Sequence, residues 1–352
     1  MKCLMHVLVW AVLTVPVASA VVTPTEPDFE HFGDEVSFED KPVPTIKHPE
    51  WFKTSFLDLR DDLDDAREDG KKGIIVYFGQ DHCTYCKALM DVNFGQPDIT
   101  RYTRSNFDVI AIDIWGSKEV TDLNGISLSE REFSVREGTN FTPSLVFYDL
   151  NGQEALRLRG YYPPYKFRAA LEYVAGEHYL FDSYRQYLSR ADGVEIMDEG
   201  GLSEEPFILR GPRVLDRSEV YGERPLVVFF EQGNCHSCDL LHSSILGRQS
   251  IPEMFKRFDV EQLNMWSDTP VITPSGQKTT AREWADQLGV FYGPTLVFFD
   301  HWGHEIMRLD SVVMFYRLRS VLEYVLTEDY FWEPNFQRWR HTKAVEDPNA
   351  IR

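Results

Sequence analysis

Long apolar runs alternate with helical repeats of apolar residues along most of the chain. Residues 71–80, KKGIIVYFGQ, and residues 224–232, RPLVVFFEQ, each contain an unbroken apolar run. Such a run is typical of a strand that is buried on both faces of a sheet. A helical pattern begins soon after each run. The pattern therefore predicts a buried central strand followed by a helix in two places.

The second half of the chain repeats the first half. The segment 142–158, TPSLVFYDLNGQEALRL, matches 293–309, GPTLVFFDHWGHEIMRL, at an offset of 151 residues, and Trp115 matches Trp266 at the same offset. Solenoid repeats have periods of about 20–50 residues. A period this long indicates two duplicated domains.

Each copy has the same order of predicted elements. After the first strand and helix come a second strand, at 107–115 and 258–266, and an insertion with a short helix. An X-Pro turn, two further strands and a closing helix, at 163–179 and 315–330, complete the unit. The order β-α-β followed by β-β-α predicts an α/β fold in which each domain has a mixed central sheet flanked by helices.

Changes in composition divide the chain into segments. An acidic, Pro-bearing stretch precedes the first domain, and Gly200 and Gly201 lie in an acidic stretch between the domains, which is typical of a linker. Residues 51–70 predict a helix that introduces the first domain, with apolar residues at helical spacing: Phe52, Phe56, Leu59, Leu63 and Ala66. We expect a signal peptide at 1–20, a tether at 21–48, a first domain at 49–189, a linker at 190–206, a second domain at 207–340 and a C-terminal tail at 341–352.

The N-terminus predicts export. Lys2 supplies a positive charge, LMHVLVWAVLTV forms an apolar core, and residues 18–20, ASA, form a small-residue cleavage pattern. The apolar run is short for a membrane span. We therefore expect a cleavable signal peptide that ends at Ala20 and takes Cys3 with it.

The charge of the chain argues against one class of partner. The 36 Lys and Arg residues and 56 Asp and Glu residues give a formal net charge of −20. A field of this sign repels phosphate backbones. We expect no nucleic-acid partner.

The cysteines that remain after export form two Cys-x-x-Cys pairs, Cys83 with Cys86 and Cys235 with Cys238. Each pair opens a predicted helix, where unpaired backbone N–H groups and the helix dipole favour a thiolate. The second cysteine lies on the same helical face, within reach of a disulfide. The pattern predicts catalysis in which Cys83 and Cys235 attack a substrate disulfide and Cys86 and Cys238 resolve the mixed disulfide.

Three other interpretations of the cysteines remain open. The pairs could bind zinc or copper, but paired zinc ligands are usually separated by about 15–20 residues, and these pairs are 152 residues apart. Each pair could be a structural disulfide, although so short a loop adds little stability by chain entropy. The protein could also hold thiol-bearing partners like a chaperone. We expect no metal, and no cofactor beyond two redox-active disulfides.

Two X-Pro dipeptides connect this pattern with a known family. Pro143 and Pro294 lie 60 and 59 residues after the first cysteine of their copy, each directly before a buried strand. The ordered set of strand, Cys-x-x-Cys, second strand, X-Pro, strand and closing helix resembles the thioredoxin superfamily over about 50–185 and 207–340. The resemblance implies that both prolines are cis.

The resemblance also implies a mode of substrate binding and a cellular role. Thr142 and Gly293 would offer backbone N–H and C=O groups to an extended substrate peptide. The stretches 78–90, 115–138 and 160–174 are most similar to exported thioredoxin-like proteins of sulfur-oxidation operons. This branch implies a bacterial periplasmic protein that reduces the disulfides of protein partners such as sulfur carriers or apocytochromes, with a membrane electron donor as one source of electrons.

Disulfide isomerisation is an alternative, because the CTYC motif around Tyr85 also resembles that of periplasmic isomerases.

The chain departs from thioredoxin next to the cysteines. The buried carboxylate that thioredoxin has six residues before its first cysteine is replaced by Tyr77 and Phe229. His82 and His236 are candidates to stabilise the thiolates. An equally good interpretation is that both are exposed polar residues at a helix start.

The two motifs carry opposite charges after their second cysteine. Lys87 follows Cys86, whereas Asp239 follows Cys238. A positive neighbour stabilises a thiolate and a negative neighbour destabilises it. We therefore predict that the two centres have different reduction potentials. Redox titration of each centre measures this, and equal potentials within error would contradict it.

Overall fold

A computed structural model describes residues 45–192, 201–208, 215–248 and 250–346. The expected signal peptide and most of the expected tether lie outside these residues, as do parts of the expected linker and tail. No helix within these four ranges is long and apolar enough to cross a membrane.

The first domain contains six helices and six strands in the described residues. They are α1 Leu59–Glu68, β1 Gly73–Gly79, α2 Thr84–Ala88 with a π-helical turn at Leu89–Asn93, α3 Pro97–Asn106, β2 Phe107–Asp113, β3 Glu119–Thr121, β4 Ser127–Ser129, α4 Glu130–Arg136, β5 Ser144–Asp149, β6 Glu154–Arg159, α5 Pro164–Ala175, a 3₁₀ turn at His178–Leu180, and α6 Tyr184–Asp192.

The second domain repeats this order in the part of the chain described from residue 215 onward. Its elements are β7 Leu226–Glu231, α7 His236–Leu240 with a π-helical turn at Leu241–Leu246, α8 Ile251–Phe255, β8 Asp259–Asn264, β9 Pro270–Ile272, β10 Lys278–Thr280, α9 Ala281–Gln287, β11 Thr295–Phe299, β12 Glu305–Leu309, α10 Phe315–Leu326, a 3₁₀ turn at Asp329–Phe331, and α11 Phe336–Glu346.

Each domain is built on a four-stranded mixed sheet. The strand orders are β2-β1-β5-β6 and β8-β7-β11-β12, so the two copies have the same topology. The central strand β1 is parallel to β2 and antiparallel to β5, with Ile75 opposite Val109 on one side and Phe147 on the other. The predicted α/β fold, two mixed sheets flanked by helices, is confirmed.

The core of each domain lies on both faces of its central strand. Strands β1 and β7 are buried along their whole length, as their unbroken apolar runs predict. In the second domain, Leu318 of α10 packs in the cluster that contains Phe229, and Trp284 of α9 packs against Phe230 on the opposite face. Burial of each such side chain contributes about 1.5–3 kcal/mol. The sheet is thereby held rigid beneath the motif that follows it.

The helix expected over 51–70 is shorter than predicted. Helix α1 begins at Leu59, and Asp58 caps it by accepting a hydrogen bond from a backbone N–H of the first turn. Phe52 is buried outside the helix among other aromatic rings, and Phe56 is fully exposed. The prediction was wrong for these two residues. Their helical spacing runs across Asp58, but an aspartate favours the N-cap position over the helix interior, so the helix begins after it.

Helix α3, which lies between the cysteine helix and β2, was not predicted from the sequence. Pro97 stands in its first turn, where the missing N–H of proline would have no helical partner in any case. Ile99 and Thr103 face the core. These are two core-facing positions in ten residues. Their hydrophobic periodicity is too weak to distinguish this helix from a loop in the sequence.

Two helices cross expected segment boundaries. Helix α6 extends to Asp192, beyond the expected start of the linker at 190. Helix α11 extends to Glu346, beyond the expected start of the tail at 341. Both helices begin with residues that contact the other domain.

The two domains exchange equivalent contacts within one compact unit. Arg185 of α6 donates a hydrogen bond to the Val290 carbonyl at 2.7 Å. Asn335, directly before α11, donates to the Thr139 carbonyl at 3.3 Å. Thr139 and Val290 are equivalent residues at the repeat offset of 151. The helix after each domain is therefore docked on the other domain.

One contact between the domains joins two equivalent residues. The Val312 N–H donates to the Tyr161 carbonyl at 3.2 Å, and these two residues are related by the repeat offset. The Tyr162 hydroxyl donates to the Asp310 carbonyl at 2.6 Å. When two domains are related by a two-fold axis, a surface patch of one domain contacts the equivalent patch of the other. The contact between Tyr161 and Val312 is of this kind.

Candidate active site

Each cysteine pair lies at the start of the helix that follows a central strand. Cys83 is the N-cap of α2, and its Sγ accepts a hydrogen bond from the Cys86 N–H at 3.0 Å. Cys235 caps α7 in the same way, with the Cys238 N–H at 3.1 Å. The first N–H groups of a helix have no partner within it. A sulfur atom in this position is stabilised as an anion once the protein is reduced.

Both pairs are closed as disulfides, with Cα atoms 5.2 Å apart in each. Cys83 and Cys235 are 6% and 7% exposed, whereas Cys86 and Cys238 are 0% and 4% exposed. The first cysteine of each pair is thus slightly more exposed than the second. This order fits an attacking first thiol and a resolving second thiol.

The X-Pro loops face the cysteines. Thr142 Oγ1 lies 3.4 Å from Cys83 Sγ, and the Gly293 carbonyl oxygen lies 3.5 Å from Cys235 Sγ. Both X-Pro peptide bonds are cis. The structure therefore brings together, in each domain, the cysteine pair and the residue before the proline that the sequence singled out.

The carbonyl before each proline already accepts a hydrogen bond. Thr142 receives one from Arg317 of the second domain, with Nη2 at 3.2 Å. Gly293 receives one from Ser237 of its own domain, with Oγ at 2.8 Å. A substrate strand must displace these donors or use the second lone pair of the carbonyl oxygen.

A glutamine and a tryptophan hold the loop before each motif. Gln80 accepts a hydrogen bond from the Trp115 indole at 2.7 Å and donates one to Thr142 Oγ1 at 2.8 Å. Gln232 accepts from the Trp266 indole at 3.0 Å. In the sequence the tryptophans served only to align the repeats. The recurrence of a glutamine three residues before each first cysteine was the signal that could have identified this contact.

The candidate tuning residues lie on the solvent side of the motifs. His82 and His236 are both exposed, and His82 has a backbone φ of 58°. Lys87 is exposed and forms an ion pair with Asp91, one helical turn further on.

The position of the thioredoxin carboxylate is filled by rings in both copies. Tyr77 and Phe229 are 0% exposed. Burial, with a smaller contribution from Asp113 and Asp81, raises the pKa of Tyr77 far above neutral pH. Neither side chain can accept a proton from a cysteine thiol at neutral pH.

The second domain has a buried polar cluster beside its motif that the first domain lacks at the equivalent positions. Glu231, the last residue of β7, lies 2.9 Å from His242 Nε2, and Glu205 lies 2.9 Å from His242 Nδ1. Gln262 donates to Glu231 at 2.7 Å. Gly79 and Met90 stand where Glu231 and His242 stand in the repeat. This cluster was not predicted from the sequence because its members are dispersed along the chain.

We predict that His242 stabilises the second domain most strongly at acidic pH. Burial lowers the pKa of His242, but the hydrogen bonds to Glu231 and Glu205 outweigh burial and raise it overall. Because the folded pKa lies above the unfolded value of about 6.5, the contribution is complete below about pH 6.5 and is lost as pH rises through the folded pKa.

Replacement of His242→Gln should lower the free energy of unfolding by about 1.5–3 kcal/mol near pH 6, the range for hydrogen bonds to charged groups, and by less near pH 9. Urea unfolding at both pH values measures this. His304→Gln is the control, because the side chain of His304 is 81% exposed beside Asp300. A His242→Gln effect that is equal at both pH values would contradict the assignment of a charged histidine.

No grouping of three or more His, Cys, Asp or Glu side chains that could hold a metal ion occurs in the described ranges. The two cysteine pairs follow strands of two separate sheets.

Solved structures that are similar to parts of the chain include the following three. A thioredoxin-fold protein from Helicobacter pylori is 25% identical over 35% of this chain and 80% of that chain, with a TM-score of 0.31. A thioredoxin from Thermus thermophilus is 26% identical over 32% of this chain and 81% of that one, with a TM-score of 0.26. The reduced C-terminal domain of DsbD from Neisseria meningitidis is 18% identical over 32% of this chain and 91% of that one, with a TM-score of 0.25.

All three TM-scores lie below 0.5, so the family assignment rests on sequence. A search of curated proteins finds no match. The family model of the thioredoxin-like domain matches residues 59–175 and again residues 215–326, which confirms the resemblance recognised in the sequence. The chain belongs to the thioredoxin-like family and carries two such domains in tandem.

Proposed function

We propose that this protein is an exported thiol–disulfide oxidoreductase that reduces disulfides of protein partners. One observation carries the proposal: in each domain a cysteine at a helix N-cap faces the residue before a proline, with a second, more buried cysteine behind it. This arrangement provides an activated nucleophile, a resolving thiol and a backbone edge for an extended peptide.

The reaction starts from the reduced dithiol. The Cys83 thiolate attacks one sulfur of a substrate disulfide, so that a new S–S bond forms and the substrate S–S bond breaks. The substrate sulfur that leaves takes the bonding electron pair and a proton. The protein and the substrate are then joined in a mixed disulfide.

The second step resolves the mixed disulfide. Cys86 loses its proton and attacks Cys83 Sγ, which forms the intramolecular disulfide and releases the second substrate sulfur as a thiol. The substrate gains two electrons and two protons, and the protein loses the same number. Because rings replace the buried carboxylate, we propose that water accepts the Cys86 proton. Cys235 and Cys238 follow the same sequence in the second domain.

Each cycle leaves the protein oxidised, so it requires a reductant. In the bacterial periplasm, the proposed location, we propose a dithiol donor that is supplied with electrons from the membrane. The proposed partners are proteins whose thiols must stay reduced, such as sulfur carriers or apocytochromes.

The experiment that tests the proposal is trapping of mixed disulfides in the native host. Cys86→Ala and Cys238→Ala, made separately, remove the resolving thiol and should each leave a partner covalently bound. The matched control replaces both cysteines of the same pair, which removes the attacking thiol as well. The proposal fails if neither variant captures a protein through the first cysteine while the reduced wild-type protein also leaves a model disulfide intact.

A further inference from the structure

A basic side chain of the second domain lies in the active site of the first. Arg317, on α10, is 6% exposed. Its guanidinium lies 3.6 Å from the ring centre of Tyr85, the residue between the two cysteines of the first motif. Its Nη2 donates to the Thr142 carbonyl at 3.2 Å. Thr142 in turn places its hydroxyl 3.4 Å from Cys83 Sγ. The arginine is thus held by two residues that adjoin Cys83, one within the motif and one on the X-Pro loop.

The second active site has different residues at the three positions equivalent to Arg317, Tyr85 and Thr142. The repeat offsets place Lys166 at the position of Arg317, Ser237 at that of Tyr85, and Gly293 at that of Thr142. There the Gly293 carbonyl accepts its hydrogen bond from Ser237, within the same domain. The Lys166 ammonium lies 5.4 Å from the ring of its neighbour Tyr165. The described contacts thus place a guanidinium of the other domain against the residue between the two cysteines at the first site. At the second site the guanidinium of Arg185 lies on the Trp266 ring instead, 3.8 Å from its centre.

We propose that Arg317 is a positioning residue for the first centre, where it stabilises the Cys83 thiolate across the domain boundary and so makes the two centres chemically unequal. The inference rests on the proposed function. A guanidinium stays protonated under all ordinary conditions. A fixed positive charge in a buried site favours an anionic neighbour and lowers the pKa of a nearby acidic group.

The charged residues next to the motif in the chain are exposed to water. Asp81 and His82 precede Cys83 and are exposed. Lys87 is exposed and paired with Asp91. Arg317 is buried. Because burial weakens solvent screening, its charge should act more strongly on a neighbouring thiolate than these exposed charges do.

The inference predicts which centre is the stronger oxidant. Stabilisation of the thiolate favours the reduced dithiol over the disulfide. The first centre should therefore have the less negative reduction potential, in the same direction as the charges of Lys87 and Asp239 suggest.

Thiolate titration tests the inference in the full chain. The parent carries Cys235→Ser and Cys238→Ser, so that only the first centre titrates, and thiolate absorbance at 240 nm is followed against pH after reduction. Arg317→Gln, which removes the charge and keeps a hydrogen-bond donor, should raise the titration midpoint of Cys83 by about one pH unit. Arg317→Lys, which keeps the charge, should stay much closer to the parent.

The control is Lys166→Gln in the same parent. Lys166 lies in the first domain at the position equivalent to Arg317, so this change also removes one positive charge. It should leave the titration midpoint of Cys83 unchanged. Circular dichroism and thermal melting identify any variant that does not fold. A folded Arg317→Gln variant with the parent midpoint, or a Lys166→Gln shift as large as that of Arg317→Gln, overturns the inference.

A second comparison needs no change at Arg317. A chain with Cys83→Ser and Cys86→Ser leaves only the second centre, and its midpoint should lie above that of the first-centre parent. Equal midpoints, or the reverse order, overturn the inference even if every Arg317 variant fails to fold. Reduction of a model disulfide by the same parent is scored separately. Its absence would contradict the proposed function and leave the titration result intact.

Discussion

Replacement of Cys83→Ser, in a chain whose second centre is already Cys235→Ser and Cys238→Ser, should lower the rate of disulfide reduction at least about a thousandfold. Loss of the nucleophile removes the covalent step, and effects of this size follow removal of a catalytic nucleophile in other enzymes. A serine hydroxyl at the N-cap can still accept the backbone hydrogen bond that Cys83 Sγ accepts from the Cys86 N–H. The helix start is therefore preserved while the chemistry is lost.

The measurement is reduction of a model protein disulfide by the reduced chain, with a thiol donor in excess. The parent with an intact first centre is the active control, and the chain with Cys83→Ser alone shows how much turnover the second centre supports. If the variant without both centres retained the parent rate, the cysteines would not be catalytic. The disulfides would then have a structural role, and their removal should lower the stability of the protein without lowering the rate of disulfide reduction.

The chemistry of the sites could be predicted from the sequence because it is local. Cys83 and Cys86 are three positions apart on one helix, and the apolar run before them fixes the strand that ends beside them. The X-Pro loop is more distant, but duplication supplied a second copy of the same order. Each copy confirmed the interpretation of the other, which a single Cys-x-x-Cys motif could not have done.

The contacts between the domains could not be predicted in this way. Arg317 lies in an amphipathic helix, and its partners Thr142 and Tyr85 are far away in the chain and in the other domain. No local period or motif specifies which face of one domain meets the other. The contacts of Asn335 and Arg185 could not be predicted for the same reason, since each side chain donates a hydrogen bond to a carbonyl of the opposite domain.

The two copies also diverged in ways that local patterns conceal. Glu231 ends an apolar strand and is 1% exposed, where a charged residue would normally mark the surface. Its burial is possible because His242 and Gln262 bond its carboxylate, and these partners come from other elements. A buried charge of this kind is stabilised only by tertiary structure, so the strand pattern alone could not have placed it.

The second large effect is expected at Phe336, in the first turn of α11. Its side chain is 0% exposed, and its ring lies 5.4 Å from the ring of Phe141, which belongs to the X-Pro loop of the first domain. The same ring lies 5.4 Å from Tyr324 of the second domain. Phe336 therefore fills a space that both domains line. A cavity left there could not be closed by movement of one domain alone.

Replacement of Phe336→Ala should lower the free energy of unfolding by about 3–5 kcal/mol, the cost of truncating a buried phenylalanine. Phe331→Ala is the matched control, because Phe331 is 53% exposed near the same end of the domain and its loss should change stability by about 0.5 kcal/mol or less. Urea unfolding of the oxidised chain, followed by tryptophan fluorescence, measures both. If the two variants were equally stable, α11 could not be docked between the domains, and the contact of Arg317 with the first active site would lose its structural support.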